Sequence, residues 1–368
     1  MAASMKNRLL IFKLRRLQVS NITRQIPKNR SVSTIPRAIV YDTYGDPKSV
    51  LRLQETEIPS VGDEEVKIQM MAAPINPADL NTIQGQYPFK PAMPAIGGFE
   101  GVGRIEEVGR QVKSLKPGDL VIPSINGLGT WRNQLVCKSA EVMTFPSGTP
   151  LLFACTIRVN MCTAYRMLKD FEELQPGDCV IQNAANSGAG QSVIQIAAAR
   201  GIKTVNIVRD RPDFEDLSSY LQNLGATVVT TEAQLRQSEK ILMQNLPKPK
   251  LALNAVGGKS CFTLLKHLQP TGTMVTYGGM SRQPVMVPTS SLIFSDVKVR
   301  GYWMSRWHEQ NKDSEEAKCM INELCNWAKD EKVRPPKHKL HPIQDFKLAV
   351  ENAMTDFQTE KQILRLDD

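Results

Sequence analysis

The segment Cys179-Val-Ile-Gln-Asn-Ala-Ala-Asn-Ser-Gly-Ala-Gly190 leads from a short apolar strand through a glycine-bearing turn into a predicted helix over Gln191–Arg200. Glycines in such a turn let the backbone approach a pyrophosphate, and the helix N-terminus offers that group unpaired N–H donors. Gly188 and Gly190 alone are weak evidence, because Val193 stands where the usual fingerprint has a third glycine. A variant of the dinucleotide-binding motif and a plain tight turn both remain open at this point.

Strands and helices alternate around this turn from about Leu151 onward. The further strands are predicted at Thr204–Val208, Thr227–Thr230, Leu251–Asn254, Gly272–Gly279 and Val297–Trp303. Helices are expected over Leu217–Leu224, which ends at Gly225, and around Leu264–Leu268. Such alternation is typical of a parallel sheet covered on both faces, so the sequence predicts an α/β protein with a Rossmann, doubly wound parallel sheet.

The part of the chain before this region, from Arg37 to about Met143, has a different pattern. Short alternating apolar runs are separated by Gly- and Pro-containing turns, which predicts an antiparallel, β-rich domain. Two later segments, Glu315–Lys332 and Ile343–Met354, are expected to be helices that return to it. The predicted domains are residues 34–155 (β-rich), 156–305 (Rossmann, NADP-binding) and 306–368 (C-terminal return), after a leader over 1–33.

The end of the second predicted strand, Val208-Arg-Asp-Arg-Pro212, bears on the choice of cofactor. NAD enzymes place a carboxylate there to accept a hydrogen bond from the ribose 2′-hydroxyl, whereas an arginine binds a 2′-phosphate through charge-assisted hydrogen bonds. Viewed alone, the segment could also be a solvated loop with an internal pair between Asp210 and an arginine. Together with the upstream glycine turn, Arg209 and Arg211 favour NADPH.

The leader holds most of the excess positive charge. The formal net charge of the chain is +9, but residues 1–33 contain eight basic and no acidic residues, so the remainder carries about +1. This distribution argues against a nucleic-acid-binding surface. The leader alternates apolar with basic residues and then becomes rich in Ser and Thr, which resembles a mitochondrial transit peptide; a disordered basic tail is the alternative. No window of about 18 apolar residues predicts a membrane span.

Cysteine and histidine positions bear on metal binding. The seven cysteines show no paired C-x-x-C spacing and are expected to be reduced thiols. All four histidines lie at His267 or later, and no cysteine precedes Cys137. A catalytic zinc needs about three clustered ligands and a structural zinc four, so no metal site is predicted. Without a metal, the chemistry should be direct hydride transfer assisted by a side-chain acid.

Tyr87, on a predicted loop of the first domain, is the candidate acid. It ends the segment Asn76-Pro-Ala-Asp-Leu-Asn-Thr-Ile-Gln-Gly-Gln-Tyr87. A phenol can give a proton or a hydrogen bond to an enolate that develops when hydride adds to a conjugated double bond. A loop tyrosine is more often structural, so the residue type alone does not decide its role.

Eight segments of the chain together resemble the mitochondrial trans-2-enoyl-thioester reductases, in the zinc-free branch of the medium-chain dehydrogenase/reductases. They are Asn76–Tyr87, Gly127–Trp131, Asn160–Leu168, Leu174–Asp178, Asn183–Gln191, Val208–Asp213, Tyr277–Met280 and Lys361–Leu364. The likeness runs from about Arg37 to the C-terminus. It implies that the first domain is GroES-like, and that the enzyme reduces 2-enoyl thioesters of acyl carrier protein or CoA with NADPH, in fatty acid synthesis in the mitochondrial matrix.

The resemblance also implies site residues. Tyr87 stands at the position of the catalytic tyrosine and would be the proton donor, and Trp303 either lines the acyl pocket or is an interior aromatic. Cofactor contacts carry over to Asn160, Asn186, Ser187, Gly188, Ala189, Arg209, Asp210, Arg211, Tyr277, Gly278, Gly279, Met280, Tyr302, Trp303, Met304, Ser305 and Lys361. Three residues depart from the family pattern: Phe99 replaces an asparagine, Arg158 a glycine and Met161 a proline.

Alternative functions stay open. The first is a quinone oxidoreductase of the same fold, which needs no catalytic tyrosine. The second is a partner-binding protein that keeps NADPH but has lost turnover. An exposed edge strand near Val297–Trp303 suggests a homodimer by analogy. The sequence contains no pattern that indicates the acyl-chain length, the preferred thioester carrier or the transit-peptide cleavage site.

Overall fold

The structure is a computed structural model that describes residues 35–367. The predicted transit peptide, residues 1–33, lies outside them. Within this range, sixteen strands form three sheets. The strands are β1 (Arg37–Tyr41), β2 (Arg52–Glu55), β3 (Glu65–Pro74), β4 (Ala95–Ile96), β5 (Val102–Val108), β6 (Leu120–Pro123), β7 (Gln134–Lys138), β8 (Val142–Thr144), β9 (Cys179–Gln182), β10 (Lys203–Val208), β11 (Val228–Thr231), β12 (Leu251–Asn254), β13 (Thr273–Thr276), β14 (Lys298–Gly301), β15 (His338–Pro342) and β16 (Lys361–Arg365).

Twelve α-helices connect or cover these sheets in the described range. They are α1 (Pro47–Val50), α2 (Pro77–Ile83), α3 (Leu151–Thr156), α4 (Cys162–Asp170), α5 (Gly188–Ala199), α6 (Phe214–Asn223), α7 (Glu232–Met243), α8 (Ser260–His267), α9 (Thr289–Ser295), α10 (Met304–Asn311), α11 (Glu315–Lys329) and α12 (Phe346–Met354). A π-helical turn, Ile157–Met161, joins α3 to α4, and 3₁₀ turns cover Ser139–Glu141 and Ile343–Asp345.

The predicted Rossmann sheet is confirmed. Six parallel strands have the order β11-β10-β9-β12-β13-β14, so the order reverses between β9 and β12. Both faces are buried: Val180 of β9 packs in one core with α4 and α5, while its neighbour Ile181 packs in another with α8. Burial on both faces explains why the strands read as continuous apolar runs.

The helix after β9 begins three residues earlier than predicted. Ser187 is its N-cap, because the Ser187 side chain accepts a hydrogen bond from the Gly190 N–H at 3.1 Å. Gly188 and Gly190 therefore lie in the first helical turn, whereas the sequence pattern placed both in the preceding loop. The backbone N–H groups of this turn are the donors that an anion at the helix N-terminus would meet.

The β-rich domain is built around a seven-stranded sheet in which β3 pairs with β5, β7 and β16. Two of its strands, β15 and β16, come from the C-terminal segment, for which only helices were predicted. Helix α11 packs on α3 and α4, between this sheet and the parallel one. The C-terminal chain thus returns to the β-rich domain with the predicted helix α12 and also with two strands, and β16 places Lys361 at the junction of the two sheets.

Candidate active site at the carboxyl edge of the parallel sheet

Four groups of predicted cofactor contacts each follow a strand of the parallel sheet. Residues 186–189 follow β9, 209–211 follow β10, 277–280 follow β13 and 302–305 follow β14. Because all six strands are parallel, their carboxyl ends lie at one edge of the sheet. Ligands of open α/β sheets bind at this edge, where the strand order reverses. The sheet therefore brings these four segments to one side of the molecule.

The glycine turn leaves no room for side chains. A Cβ added to Gly188 would lie 2.6 Å from Asn160 Oδ1, and one added to Gly190 would lie 2.6 Å from the Ala185 carbonyl oxygen. Ser187 caps the helix that begins here. A bare backbone at a capped helix N-terminus fits the pyrophosphate of a dinucleotide, which needs close approach to unpaired N–H groups.

The loop after β13 provides a second flat surface of backbone. A Cβ added to Gly279 would have no other atom within 4 Å, and Met280 is largely exposed. Gly278, in contrast, packs against Ala255. The Tyr277 hydroxyl is buried, and burial raises its pKa to about 12 while the Ser187 side chain partly offsets that rise. Tyr277 is therefore a neutral hydrogen-bonding group beside the glycine turn at physiological pH.

Residues after β12 also contribute to this edge, although the sequence did not single them out. The buried Asn183 side chain donates to Asn254 Oδ1 at 2.9 Å and accepts from the Ala255 N–H at 2.8 Å. The Met280 N–H in turn donates to the Ala255 carbonyl at 3.0 Å. Asn183 thus ties the glycine turn to the neighbouring strand where the strand order reverses. Only its place in the turn, directly after β9, could have suggested this role.

The two arginines after β10 differ in environment. The Arg211 side chain is only 7% exposed and donates to both carboxylate oxygens of Asp213, at 2.5 and 2.9 Å. The Arg209 side chain is 62% exposed, and its Nη1 lies 3.1 Å from Asp356 Oδ1. Neither arginine forms its ion pair with Asp210, which the sequence had left as an alternative. Arg209 is the more accessible of the two guanidinium groups.

A buried polar cluster joins the β-rich domain to the glycine turn. Lys361 Nζ donates to Asn76 Oδ1 at 2.6 Å, and Asn76 Nδ2 donates to Glu100 Oε1 at 2.8 Å. Asn160 Nδ2 lies 3.5 Å from the same Asn76 oxygen. Lys361 Cε and Asn160 Oδ1 both border Gly188. Three predicted cofactor contacts, Asn160, Gly188 and Lys361, are therefore brought together here.

Asp79 completes this cluster. Its carboxylate is buried and accepts hydrogen bonds from the Asn76 N–H at 2.7 Å and the Phe99 N–H at 2.8 Å. Burial raises the pKa of Asp79 to about 7 and also raises the pKa of Glu100. Burial lowers the pKa of Lys361, and the two carboxyl groups oppose that shift. The cluster thus holds the partly buried Lys361 side chain near two buried carboxyl groups.

Neither carboxyl group was predicted, although local signals existed. Asp79 follows Asn76-Pro77 at the spacing of a capping interaction, and Glu100 is the single charged residue in the Gly- and apolar-rich run Ala95–Gly103. A lone carboxylate in such a run is a candidate for a buried, hydrogen-bonded position.

Tyr87 and Trp303 meet although 216 residues separate them in sequence. The Trp303 Nε1–H donates a hydrogen bond of 2.7 Å to the Tyr87 hydroxyl oxygen. Their rings meet edge to face, with centroids 5.9 Å apart, and Phe99 makes a similar contact with Tyr87. Because an indole N–H can only donate, the Tyr87 oxygen is the acceptor and its own proton is left for another partner.

A cavity of about 370 Å³ lies beside this pair. Phe99 and Trp303, both in contact with Tyr87, form part of its wall, and the full lining is Pro88, Phe89, Lys90, Phe99, Asn126, Trp303, Ser305 and Glu309. Its volume is typical of a small-molecule site, and aromatic walls with a few polar groups are typical of such pockets. The cavity has both aromatic and polar lining residues, and its wall residues Phe99 and Trp303 contact the Tyr87 phenol.

The three residues that depart from the family pattern lie in different parts of the structure. Phe99 lines the cavity, and Met161 is fully buried in the core between the two sheets. Arg158 is 4% exposed, and its guanidinium donates to Asn126 Oδ1 at 3.0 Å and the Ser124 carbonyl at 2.8 Å. Burial lowers the pKa of Arg158 to about 10. Its side chain therefore secures the loop that lines the cavity.

Two further predicted contacts are largely internal. Met304 is buried, and its Sδ accepts from the Tyr302 hydroxyl at 3.0 Å. Burial raises the pKa of Tyr302 well above its usual value.

Metal and membrane sites can be considered for residues 35–367, the described part of the chain. No group of three or more His, Cys, Asp or Glu side chains there could hold a metal ion. No helix of that part of the chain is long and apolar enough to cross a bilayer.

Two family models match the chain. Residues 62–147 match the alcohol dehydrogenase GroES-like domain, and residues 188–322 match a family described as zinc-binding dehydrogenase. The first match covers most of the seven-stranded sheet, and the second covers the parallel sheet from α5 onward.

The similar curated proteins include mitochondrial enoyl-acyl-carrier-protein reductases, and the similar solved structures include 2-enoyl thioester reductases and, at 22–25% identity, quinone reductases. The chain is 51% identical to the mitochondrial enoyl-acyl-carrier-protein reductase of Rattus norvegicus, over 90% of this chain and 88% of that protein. It resembles the structure of an Etr1p/NADP/crotonyl-CoA complex with a TM-score of 0.82 and 33% identity, over 90% of this chain and 99% of that one. The Etr1p/Etr2p heterodimer of Candida tropicalis, a mitochondrial 2-enoyl thioester reductase, is similar with a TM-score of 0.82, 32% identity and the same coverage.

Proposed function

The chain belongs to the family of mitochondrial enoyl-acyl-carrier-protein reductases, and on that premise we propose that it reduces trans-2-enoyl thioesters with NADPH in the mitochondrial matrix, as a step of fatty acid synthesis. The observation that carries this proposal is the hydrogen bond from Trp303 to Tyr87 at the wall of a substrate-sized cavity. A crotonyl thioester together with NADP is what the related Etr1p complex contains. Acyl-carrier-protein and CoA thioesters are both candidate substrates here.

Residues at the carboxyl edge would hold the cofactor. The glycine turn, Asn186–Ala189, would bind the pyrophosphate, and Arg209–Arg211 would face the 2′-phosphate. Asn160, Lys361 and the segments Tyr277–Met280 and Tyr302–Ser305 would contact the remainder of the molecule. When bound, NADPH supplies the hydride that adds to the β-carbon of the conjugated alkene.

Tyr87 would supply the proton. Its oxygen accepts from the Trp303 indole, which orients the phenol and stabilises negative charge on that oxygen. Its proton is then free to be donated to the enolate of the substrate, so that the α-carbon is protonated and the thioester carbonyl is restored. Trp303 acts in this scheme as a positioning residue and as part of the pocket wall.

An assay with competing oxidants tests the proposal. Purified protein is mixed with NADPH and either crotonyl-CoA, a 2-enoyl acyl carrier protein or a quinone, and NADPH oxidation is followed by absorbance. Turnover with the two enoyl thioesters and little with the quinone is expected. Preferential quinone reduction would replace the proposal by the quinone oxidoreductase alternative, and NADPH binding without any enoyl-dependent oxidation would favour the partner-binding alternative.

We also infer a homodimer that pairs two copies of β14. This strand is the last of the parallel sheet and has no neighbour on its outer side among the described strands, and all four of its residues are exposed. The preceding helix α9 exposes Leu292, Ile293 and Phe294, the last by 82%. An unpaired strand edge beside exposed apolar side chains is a site for chain association. A second copy would join the two six-stranded sheets, whereas the Candida tropicalis relative is a heterodimer.

A further inference from the structure

The loop between α12 and β16, residues 355–360, runs along the proposed cofactor site. Asn186 Nδ2 donates to the Gln358 carbonyl at 3.1 Å, and Gln191 Nε2 donates to the Thr359 carbonyl at 3.3 Å. The glycine turn and the C-terminal loop are therefore hydrogen-bonded to each other. Because the loop then enters β16, it connects this turn to Lys361.

The same loop contacts both arginines after β10. The guanidinium carbon of Arg209 lies 4.4 Å from the centre of the Phe357 ring, and that of Arg211 lies 5.5 Å from it. Phe357 thus forms one surface shared by the two cations, a contact that is favourable because the face of an aromatic ring is negative. The neighbouring Asp356 is 83% exposed and pairs with Arg209 at 3.1 Å.

The contact with Phe357 favours the binding of an anion to the two arginines, and the contact with Asp356 opposes it. Stacking on Phe357 limits the positions of the two guanidinium planes, so less conformational freedom is lost when they bind a phosphate. The Asp356 carboxylate competes with a 2′-phosphate for Arg209 and repels its charge. It can instead accept a hydrogen bond from a ribose 2′-hydroxyl, which is how carboxylates select NAD.

We propose that Asp356 and Phe357 are specificity-determining residues for the cofactor, with Phe357 strengthening and Asp356 moderating the preference for NADPH over NADH. This inference rests on the proposed function, in which Arg209 and Arg211 face the 2′-phosphate. The loop of residues 355–360, more than 140 positions from Arg209 in sequence, would thereby take part in recognising the 2′-phosphate.

Binding measurements on an Asp356→Asn variant test the moderating role. Dissociation constants of NADPH and NADH are measured by cofactor fluorescence at an ionic strength of about 0.01 M, where screening is weak. We expect NADPH to bind about two- to fivefold more tightly, the range typical of an exposed ion pair, and NADH to bind no better than before. The gain should shrink at about 1 M salt. The control is Asp313→Asn, which removes the same charge from an exposed residue that lies near Lys312.

A Phe357→Leu variant tests the stacking role. Leucine keeps an apolar side chain at a position whose backbone φ is +61°, so the loop conformation is no more strained than before. Loss of the aromatic face should weaken NADPH binding about threefold and leave NADH binding unchanged. An equal loss for both cofactors would show that Phe357 only holds the loop and would overturn its part of the proposal.

An Arg209→Gln variant distinguishes a failure of the proposed function from a failure of the inference about Asp356 and Phe357. If this change leaves the NADPH to NADH affinity ratio unaltered, the phosphate role of Arg209 in the proposed function fails. If it lowers the ratio while Asp356→Asn and Phe357→Leu both leave it unaltered, only the inference about the C-terminal loop is overturned.

Discussion

Tyr87 shows how a common residue type acquires a specific role through its neighbours. Two aromatic rings pack against it, and its oxygen accepts a hydrogen bond from Trp303. The indole donor determines which way the hydroxyl proton can point. Because its oxygen accepts from Trp303, the Tyr87 hydroxyl keeps its own proton for another partner beside the cavity.

Replacing this phenol tests its role. We expect Tyr87→Phe to lower kcat about 10²-fold or more, the usual loss for a general acid, while the dissociation constant of NADPH changes little. Steady-state kinetics with crotonyl-CoA and fluorescence titration with NADPH measure the two quantities. Tyr44→Phe, which removes the same hydroxyl group from an exposed tyrosine, is the control. Turnover that survives in Tyr87→Phe would remove the residue from the mechanism.

Asp79 links the site to the stability of the fold. Its carboxyl group is buried, with a pKa raised from 3.8 to about 7. Between these values the folded state keeps a proton that the unfolded state releases, so the free energy of unfolding falls as pH rises from about 4 to 7. The contribution is at most about 1.4 kcal/mol per pH unit.

Asp79→Asn should remove this dependence. We expect the free energy of unfolding to fall less between pH 5 and pH 7 in the variant than in the unmodified protein. The comparison concerns this change and does not depend on how stable the variant is at either pH. Urea unfolding at both pH values measures the difference, and Asp313→Asn should retain the original slope. Parallel pH profiles for the unmodified protein and Asp79→Asn would contradict the assignment.

At the scale of elements, β10 presents two arginines that the sequence could not tell apart. The Arg211 side chain is buried and donates two hydrogen bonds to the Asp213 carboxylate, whereas the Arg209 side chain is mostly exposed. We therefore expect Arg209→Gln to reduce the NADPH preference by about tenfold or more and Arg211→Gln to reduce it by less. Dissociation constants for NADPH and NADH give both ratios. A larger effect at Arg211 would mean that Asp213 releases that arginine when the cofactor binds.

The π-helical turn Ile157–Met161 explains how an unexpected arginine fits. The Arg158 guanidinium donates hydrogen bonds to Asn126 and to the Ser124 carbonyl, and Asn126 Nδ2 donates to the Ser305 carbonyl at 3.2 Å. The next residue, Val159, donates its N–H to Glu100 at 2.8 Å. One turn of chain thereby links the loop that lines the cavity to the buried polar cluster.

At the scale of the whole molecule, the free edge of the parallel sheet leads to a prediction about assembly. Phe294→Asp combined with Val299→Lys places charges on the exposed face of α9 and on β14. We expect this double variant to be a monomer by light scattering and the unmodified protein to be a dimer. Ile241→Asp, at another exposed apolar residue, should remain dimeric. A dimer that persists in the double variant would place the interface elsewhere.

Local patterns in the sequence were sufficient for the parallel sheet and the cofactor class. The strands β9 and β12 have the predicted bounds, because apolar runs buried on both faces leave a clear local pattern. The glycine turn and the two arginines are also each encoded within a short segment of the same strand-helix-strand unit. The C-terminal strands were missed because β16 pairs with β3, almost 300 positions earlier in the chain, and local periodicity does not record such partners.

The arrangement of the candidate site depended on tertiary structure. Tyr87 meets Trp303 across 216 positions, and Lys361 meets Asn76 across 285. Residue types and spacing predict which groups can bind a phosphate or give a proton, because those properties are local. Which of them share a hydrogen bond, where the Arg158 charge points and how far Arg211 is enclosed follow from packing between distant segments, which only the folded chain specifies.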